Sequence, residues 1–289
     1  MASIARKNLF EDIPRLLIAQ AGIMFAVSLV TIQTGILNGF TRSTGILIER
    51  SKADIWVSSK DMVQLELTLP MPASYVQQAQ QVAGVQRSEA LLLGGGIWRS
   101  PKGKITSTRL FGFDPAGQLF NPFEVIQGNL KDLEQPYTVI TDETNLDNLD
   151  VNQVGDTANI GSLRVKLAGL TQDTQSIASG NYLFMSLANA KAYSTGNRTS
   201  NLDCRLQNGQ FQCTNVYEQS PRANSNEIQP TPLTSTDAIT YVLVQAKPGQ
   251  DLQALKQRLE KALPDTRAYT REEMANRTRN YWVQRTGIG

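Results

Sequence analysis

The most prominent feature of the sequence is an uncharged apolar run near its start. Leu16–Phe40 contains twenty-five residues without a charged side chain. As a helix this run would be about 37 Å long, more than the roughly 30 Å hydrocarbon core of a bilayer. A cleaved signal peptide is the alternative, but such a peptide has a shorter apolar core and a cleavage site of small residues. We therefore predict one retained transmembrane helix over 16–40.

Five polar residues inside this run share one side of the predicted helix. They are Gln20, Ser28, Thr31, Thr34 and Asn38. Their spacing keeps them on one stripe at 3.6 residues per turn. Polar groups are costly against lipid but suit contacts between helices. We predict a helix-packing stripe whose partners lie outside this single span; the alternative is that one span simply tolerates scattered polar residues.

The two cysteines flank a sequence that favours a β-hairpin. Cys204 and Cys213 lie symmetrically about Asn208-Gly209, and Asn-Gly is the strongest two-residue hairpin turn. Counting outward from the turn places the cysteines in a non-hydrogen-bonded pair, where Cα atoms are about 4.5 Å apart and a disulfide is feasible. We predict this disulfide, which implies an oxidising compartment and places the chain beyond residue 45 outside the cytoplasm. Two reduced cysteines on a cytosolic hairpin are the alternative.

The rest of the chain alternates strand and helix patterns. Gly94–Gly96 and Pro101–Gly103 are predicted turns. Asp251 is the predicted cap of a helix with a leucine-rich face. The predicted strands cover 53–58, 85–93, 105–113, 137–141, 157–160, 163–170, 238–246 and 266–270, and further helices cover 72–82 and 187–193.

Two strand–helix–strand units bracket the middle of the chain. Such halves can pair into one sandwich with the intervening segment inserted as a subdomain. The predicted fold class is α+β, with an N-terminal transmembrane helix, a split α+β domain and an inserted mainly-β subdomain that carries the cysteine hairpin in a polar loop. The predicted boundaries are 1–15 for a cytoplasmic amphipathic segment, 16–40 for the membrane helix, 41–114 and 236–280 for the split domain, 115–235 for the insert, and 281–289 for the approach to a second span.

The last nineteen residues are predicted to form a helix that returns to the membrane. Tyr281 and Trp282 beside Arg285 have the composition of an interfacial aromatic belt, so we predict that these three residues are membrane-interface anchors. An ordinary amphipathic helix is the alternative.

Composition excludes several kinds of chemistry. The chain has no histidine, so Ser-His-Asp catalysis and HExxH zinc sites are excluded. A net charge of +2 gives no basic surplus of the kind found in nucleic-acid binders. The acidic residues over 142–150 lack the calcium-loop pattern and are predicted to form a solvated loop. We expect no catalytic, cofactor-binding or metal-binding residue in this chain.

Seven short segments lie in order along nearly the whole chain: Ala5–Leu9, Ala53–Val57, Gly112–Pro115, Val154–Asp156, Tyr182–Ser186, Lys247–Gly249, and Tyr281-Trp282 with Thr286–Gly289. Together they resemble the MacB/FtsX-like permease superfamily, and more closely its DevC-type branch. The polar insert around the two cysteines departs from the family pattern. Because family members continue into three further membrane helices, we expect the chain to be a fragment of a longer permease.

The resemblance implies a non-catalytic permease subunit of an ATP-driven exporter that works by mechanical transmission. It implies a permease homodimer among membrane lipids, a separate cytoplasmic ATPase that binds ATP and Mg, a periplasmic membrane-fusion adaptor and an outer-membrane channel. The split domain would be the porter-like part and the insert the sabre-like part. The implied cargo is glycolipid or another envelope lipid, and the implied location is the inner (plasma) membrane, with the N-terminus cytoplasmic and the main domain periplasmic.

Two other functions stay open on the sequence alone. A single-span ectodomain for adhesion or signalling would carry the same membrane helix without transport. A membrane-anchored hydrolase would need two paired acids in a cleft, and no spacing in the sequence supplies such a pair.

Overall fold

The computed structural model describes residues 13–196, 201–207, 210–216 and 229–286. Most of the predicted helices are present, and the first is longer than predicted. The α-helices of the described part are Ile13–Arg50 (α1), Ser74–Gln80 (α2), Leu146–Leu149 (α3), Leu187–Gly196 (α4), Leu252–Ala262 (α5) and Arg271–Thr286 (α6), with short 3-10 helices at Leu130–Glu134 and Glu143–Asn145.

Ten strands form one mixed sheet in the order β14-β1-β13-β3-β4-β9-β6-β8-β5, with β7 pairing both β3 and β8. The pairs β4–β9 and β6–β8 are parallel and the other pairs in this sheet are antiparallel. Two small pairs, β10–β11 and β12–β2, complete the described strands. The strands are Ile55–Ser59 (β1), Met71–Pro72 (β2), Val85–Arg99 (β3), Ile105–Phe113 (β4), Glu124–Gly128 (β5), Thr138–Asp142 (β6), Thr157–Ile160 (β7), Leu163–Gln172 (β8), Asn181–Ser186 (β9), Asn201–Gln207 (β10), Gln210–Val216 (β11), Ala238–Ile239 (β12), Tyr241–Ala246 (β13) and Thr266–Thr270 (β14).

The predicted α+β class is confirmed, and the long strand β3 joins the two regions of the sheet. The first half of β3 pairs with β13, from Val85 to Leu91. Its second half pairs with β4, from Leu92 to Arg99. Strands from the first and last thirds of the chain therefore adjoin the first half of β3, and strands of the middle segment adjoin its second half, where β4 and β7 pair with opposite edges. The domain boundaries at 114/115 and 235/236 stay a prediction.

The predicted turn at Gly94–Gly96 is wrong. These glycines lie inside β3, opposite Leu110, Arg109 and Thr108 of β4 without a break in register. A Cβ atom on Gly96 would come within 3.0 Å of side-chain atoms of Ile160 and Thr108. Glycine at this position thus allows the neighbouring strands and side chains to pack closely, rather than ending the strand. The predicted turn at Pro101–Gly103 does separate β3 from β4.

We call the part of the sheet formed by β14, β1, β13 and the first half of β3 the first sheet region. It is the middle of three layers, with α5 on one face and the helices α1 and α6 on the other. Alternate residues of β1 point to opposite faces, as a strand requires. Ile55 and Val57 pack in one core cluster with Leu255 and Leu259 of α5. Trp56, on the opposite face, packs in a second core cluster with residues of α1 and α6. The side chain of Asp251 caps α5 by accepting from the Gln253 amide at 2.9 Å, as predicted.

The helix α1 begins outside the fold and ends inside it. In the described part it is the one helix long and apolar enough to cross a bilayer, with a mean hydropathy of 1.9 over its most apolar window. No residue of its apolar run is buried, but Thr44, Gly45, Leu47 and Ile48 are buried. The helix therefore continues about 15 Å beyond the predicted end of the span at Phe40 without interruption.

Candidate functional site: a helix pair beneath the sheet

The end of α1 and the helix α6 pack against each other under the first sheet region. Leu47 and Ile48 of α1 share a core cluster with Met274 and Ala275 of α6. Nearer the apolar run, the rings of Phe40 and Trp282 meet edge to face, with centroids 6.3 Å apart and planes at 84°. We call the packed segments, residues 40–50 of α1 and 271–286 of α6, the helix pair.

Arg279 connects the two helices at the middle of the helix pair. Its guanidinium forms an ion pair with Glu49 of α1 and donates to Asn276 Oδ1 at 3.2 Å. Its side chain also crosses Gly45, where a Cβ atom would lie 3.1 Å from Arg279 Nε. Glycine at this position lets the arginine lie flat against α1 and reach Glu49.

The helix α6 also holds the loop between β1 and β2, residues 60–70, which we call the β1–β2 loop. Arg277 donates to the carbonyl oxygens of Met62 and Val63 at 2.8 and 3.1 Å. The Leu65 amide donates to Thr278 Oγ1 at 3.3 Å. At its N-terminal end α6 is tied to the chain after α1, because Arg271 Nη1 donates to the Ser51 carbonyl at 2.9 Å.

The helix α1 holds a second loop, residues 173–180 between β8 and β9, which we call the β8–β9 loop. Arg50 Nη1 donates to the Asp173 carbonyl at 3.0 Å. Two turns earlier in α1, Ser43 Oγ accepts from the Ile177 amide at 3.2 Å. The helix pair thus holds one loop from each region of the sheet, the β1–β2 loop through α6 and the β8–β9 loop through α1.

A buried carboxylate joins the two loops. Glu66 of the β1–β2 loop accepts from Tyr182 Oη and Ser179 Oγ, both at 2.8 Å, and from Arg109 Nε at 2.8 Å. Its side chain is only 8% exposed. Burial, together with the Glu66 carboxylate, raises the pKa of Tyr182 well above its usual value. The phenol therefore stays a neutral donor, and Glu66 is held by three donors.

A second buried carboxylate corrects the prediction of a solvated acidic loop over 142–150. Asp142 is 1% exposed. Its Oδ2 accepts from the amide and hydroxyl of Thr174 at 2.7 and 2.9 Å, and its Oδ1 accepts from those of Thr144 at 3.1 and 2.6 Å. Asp142 thus fixes the start of the β8–β9 loop and caps the 3-10 helix that follows it.

The predicted membrane-interface anchors lie at the end of the helix pair that is nearest the apolar run of α1. Trp282 is half-buried on Phe40, the Tyr281 and Trp282 ring centroids are 5.4 Å apart, and the Arg285 guanidinium lies 5.4 Å from the Tyr281 ring centroid. Their role at a membrane surface stays a prediction.

The predicted stripe lies on the exposed part of α1. Gln20, Ser28, Thr31, Thr34 and Asn38 are all exposed. The Thr31 and Thr34 hydroxyls each donate at 2.8 Å to the carbonyl four residues earlier, so α1 itself satisfies these two donors. The stripe's role in helix packing stays a prediction.

The cysteine hairpin has the predicted register. Strands β10 and β11 pair with Cys204 opposite Cys213, on either side of 208–209. The side chains of these cysteines lie outside the described residues, so the disulfide stays a prediction.

Sequence reasoning missed the residues that carry the helix pair and the buried carboxylates. Thr44, Leu47 and Ile48, spaced three and four apart, extend the helical periodicity beyond Phe40 and could have indicated the longer helix. No local pattern indicates Glu66, because Ser179 and Tyr182 are 113 and 116 residues away along the chain.

These features define the class of the protein as a domain anchored in a membrane. The helix α1 runs from an apolar segment into a split α+β domain, where it pairs with α6, which returns to the same end. The model of the MacB-like periplasmic core domain matches residues 16–262. The chain therefore belongs to the family of the MacB-like periplasmic core domain. This family places it among the permease subunits of ABC-type transporters, with α1 as a membrane anchor and the folded part as an extracytoplasmic domain.

A solved structure of low sequence identity shows the same fold. The periplasmic region of MacB from Actinobacillus actinomycetemcomitans matches with 13% identity and a TM-score of 0.51, over 79% of this chain and 94% of that chain. The extracellular domain of the ABC-type transporter YknZ from Gram-positive bacteria matches with 12% identity and a TM-score of 0.47, over 75% of this chain and 99% of that chain. No curated protein sequence matches the chain.

Proposed function

We propose that the chain is the permease subunit of an ATP-driven exporter in which the helix pair carries movement from the membrane into the extracytoplasmic domain. One observation carries the proposal: α1 runs unbroken from the apolar run into the core, where Arg279 joins it to α6. A displacement of α1 therefore moves α6 and, through Ser43 and Arg277, both loops under the sheet.

The proposed assembly is a homodimer of this permease with a separate cytoplasmic ATPase, a periplasmic membrane-fusion adaptor and an outer-membrane channel. The N-terminus lies in the cytoplasm and the folded domain in the periplasm, anchored to the inner membrane. Support for this orientation comes from the hairpin register that places Cys204 opposite Cys213, because a disulfide there would form only in an oxidising compartment.

The proposed cargo is a glycolipid or another envelope lipid, as in DevC-type exporters, and the permease itself catalyses no reaction. The seven resembling segments of the sequence support this branch of the family. ATP and Mg would bind to the partner ATPase.

Lipid analysis of cells tests the proposal. The gene is deleted in its host, and envelope lipids are compared by mass spectrometry after fractionation of inner and outer membranes. We expect one lipid class to accumulate in the inner membrane and to return to its normal distribution with the wild-type gene. Complementation with a Gly45→Leu variant, which wedges the helix pair apart, is expected to fail although the protein is present on immunoblots. An unchanged lipid distribution in the deletion strain would argue for the adhesion or signalling alternative.

A further inference from the structure

The exposed apolar side chains of the folded domain are concentrated on two loops. Seven large apolar side chains are exposed outside α1 in the described part of the chain, and four of them belong to the β1–β2 and β8–β9 loops. Ile177 of the β8–β9 loop is the most exposed of the seven, at 70%. The three on the β1–β2 loop are Val63, Leu67 and Leu69.

The β8–β9 loop that presents Ile177 is firmly held at both ends. Before Ile177, Thr174 is bound by Asp142 as described above, and Gln175 Oε1 accepts from Asn145 Nδ2 and the Tyr182 amide at 2.8 and 2.9 Å. After it, Ser179 is bound to Glu66. A single exposed isoleucine usually needs no explanation on a protein surface. Here, however, hydrogen bonds at both ends of the loop hold one in a fixed position at its tip.

Both loops lie at the end of the domain that faces the apolar run of α1. The helix α6 begins where the Arg271 amide donates to the Asp54 carbonyl, just before β1. By Arg277 it has reached Met62, just after β1. Five residues further on, Trp282 meets Phe40 at the end of the apolar run. The direction from Asp54 to Met62 is therefore the direction towards the membrane.

The attachment of Ile177 to α1 sets its height above the membrane. Its amide donates to Ser43 Oγ, and Ser43 follows the midpoint of the apolar run, Ser28, by fifteen residues. At 1.5 Å per residue, Ser43 lies about 22 Å from the bilayer midplane, whereas the headgroup region ends roughly 20–22 Å from it. The Ile177 side chain thus lies within reach of the headgroups.

We propose that the β8–β9 loop rests on the surface of the bilayer that α1 crosses, with Ile177 inserted among the lipid headgroups. The chemistry of the loop fits this partner. Asp173, at the start of the loop, is its one charged residue, and none occurs from Thr174 to Ala190, so insertion of the tip at Ile177 desolvates no ion. Arg42 of α1, one residue before Ser43, is exposed at the height of the headgroups, where it would meet anionic lipid.

The lipid surface is the favoured partner because the loop is bonded to α1 itself. Lipid surrounds an exposed membrane helix at the height of Ser43, so the loop meets the bilayer without needing any other protein. The contact would fix the distance between domain and membrane, and it would be broken or remade whenever α1 slides along its axis. This inference rests on α1 crossing the membrane and does not depend on the transported cargo.

A fluorescent probe on a single cysteine tests the proposal. Ile177→Cys is made with both native cysteines replaced by serine, labelled with NBD and reconstituted into vesicles of phosphatidylcholine and phosphatidylglycerol. Quenching by lipid carrying a doxyl group near the headgroup is then measured. Ser28→Cys, at the midpoint of the apolar run, is the positive control for insertion, measured with lipid that carries the doxyl group near the end of the acyl chain. Lys247→Cys is the negative control, because Lys247 is exposed in the turn after β13, at the opposite end of the domain from the two loops.

We expect quenching at position 177 to exceed that at position 247 at least threefold and to approach the value at position 28. If quenching at 177 equals that at 247 while 28 is strongly quenched, α1 crosses the membrane but the proposal is wrong. If the 177 probe is protected from aqueous iodide yet not quenched by lipid, another protein surface covers the loop, and the proposal is also wrong. Circular dichroism checks the fold of each variant, and Ala178→Cys replaces Ile177→Cys should the latter misfold.

Discussion

Glu49 of α1 and Arg279 of α6 form an ion pair across the seam of the helix pair, one helical turn above Gly45. The Glu49 side chain is 45% exposed and that of Arg279 is 21% exposed, so the pair is partly open to water and is worth little as a source of stability by itself. Its importance is positional, because it aligns a helix anchored in the membrane with a helix anchored in the sheet.

Enlarging Gly45 should separate the helix pair. Gly45→Leu would displace the Arg279 side chain, which lies 3.1 Å from the position of a Cβ atom, and would break its ion pair with Glu49. We expect a loss of about 2 kcal/mol in stability, the usual cost of overpacking. Thermal unfolding in detergent, followed by circular dichroism, measures this loss.

Gly39→Leu is the matched control for that experiment. Gly39 lies in the same helix, but a Cβ atom there would have no neighbour within 4 Å. We expect no loss of stability there, because leucine has a higher helix propensity than glycine and meets no neighbour. Equal losses for both glycines would mean that leucine disturbs α1 in a general way, for example through detergent contacts, and that the seam with Arg279 does not determine the effect at position 45.

Removing the Glu66 carboxylate should destabilise the whole domain. Glu66→Ala leaves the hydroxyls of Ser179 and Tyr182 without their acceptor and removes the partner of Arg109. We expect a loss of about 3 kcal/mol, because two hydroxyls lose hydrogen bonds to a largely buried, charged acceptor. Urea unfolding measures it, and Glu124→Ala, at an exposed carboxylate on the strand β5, is the control. A loss no larger than that of the control would show that the two loops are not joined through Glu66.

Loss of Asp142 should loosen the β8–β9 loop before it unfolds the domain. Asp142→Ala removes the acceptor of the Thr174 amide and hydroxyl. Because each hydrogen bond to a charged group is worth about 1.5 kcal/mol or more, we expect amide exchange in 173–180 to accelerate at least tenfold. Hydrogen–deuterium exchange detects this change, with Glu143→Ala as the neighbouring exposed control. Unchanged exchange in the loop would contradict its anchoring by Asp142.

The ion pair between Lys191 of α4 and Asp237 should make stability depend on pH in the acid range. Lys191 Nζ lies 2.7 Å from Asp237 Oδ2. The hydrogen bond from Lys191, aided by the Thr234 amide, lowers the pKa of Asp237. A carboxyl whose folded-state pKa is lowered contributes stability above its ordinary pKa of about 3.9 and loses that contribution as the pH falls through the folded-state value.

Asp237→Asn therefore should lower the melting temperature at pH 7, and the gap to the wild type should close below about pH 4. Melting curves at a series of pH values show whether this happens. A gap that stays constant down to pH 3 would mean that Asp237 acts through its hydrogen bonds to Thr234 and not through its charge.

Features set by neighbouring residues could be predicted from the sequence. The apolar run over 16–40 indicates a membrane helix because its length and lack of charge are properties of one segment. The cap at Asp251 is local for the same reason, and the structure contains it. The strand predicted over 238–246 is present as β12 and β13, but Tyr241–Val244 are buried on both faces of the sheet and do not alternate. The hairpin register of Cys204 and Cys213 follows from a two-residue turn.

Features set by distant residues could not be predicted. The hydrogen bond between Ser43 and Ile177 joins residues 134 positions apart, and no spacing along the chain announces it. Gly96 looks like a chain breaker until β7 brings Ile160 within 3.0 Å of the position of its Cβ atom. Asp142 looks like one of several solvated acids until the start of the β8–β9 loop folds onto it.

Charge reversal at the helix pair tests the central claim, that this pair transmits movement between membrane and domain. The transporter is assayed with its ATPase, and export is measured per ATP hydrolysed for Glu49→Arg, for Arg279→Glu and for the double variant. We predict that each single reversal lowers this ratio severalfold, because it places like charges across the seam, and that the double variant restores it. Wild-type coupling in both single variants, or a double variant no better than the singles, would contradict the account.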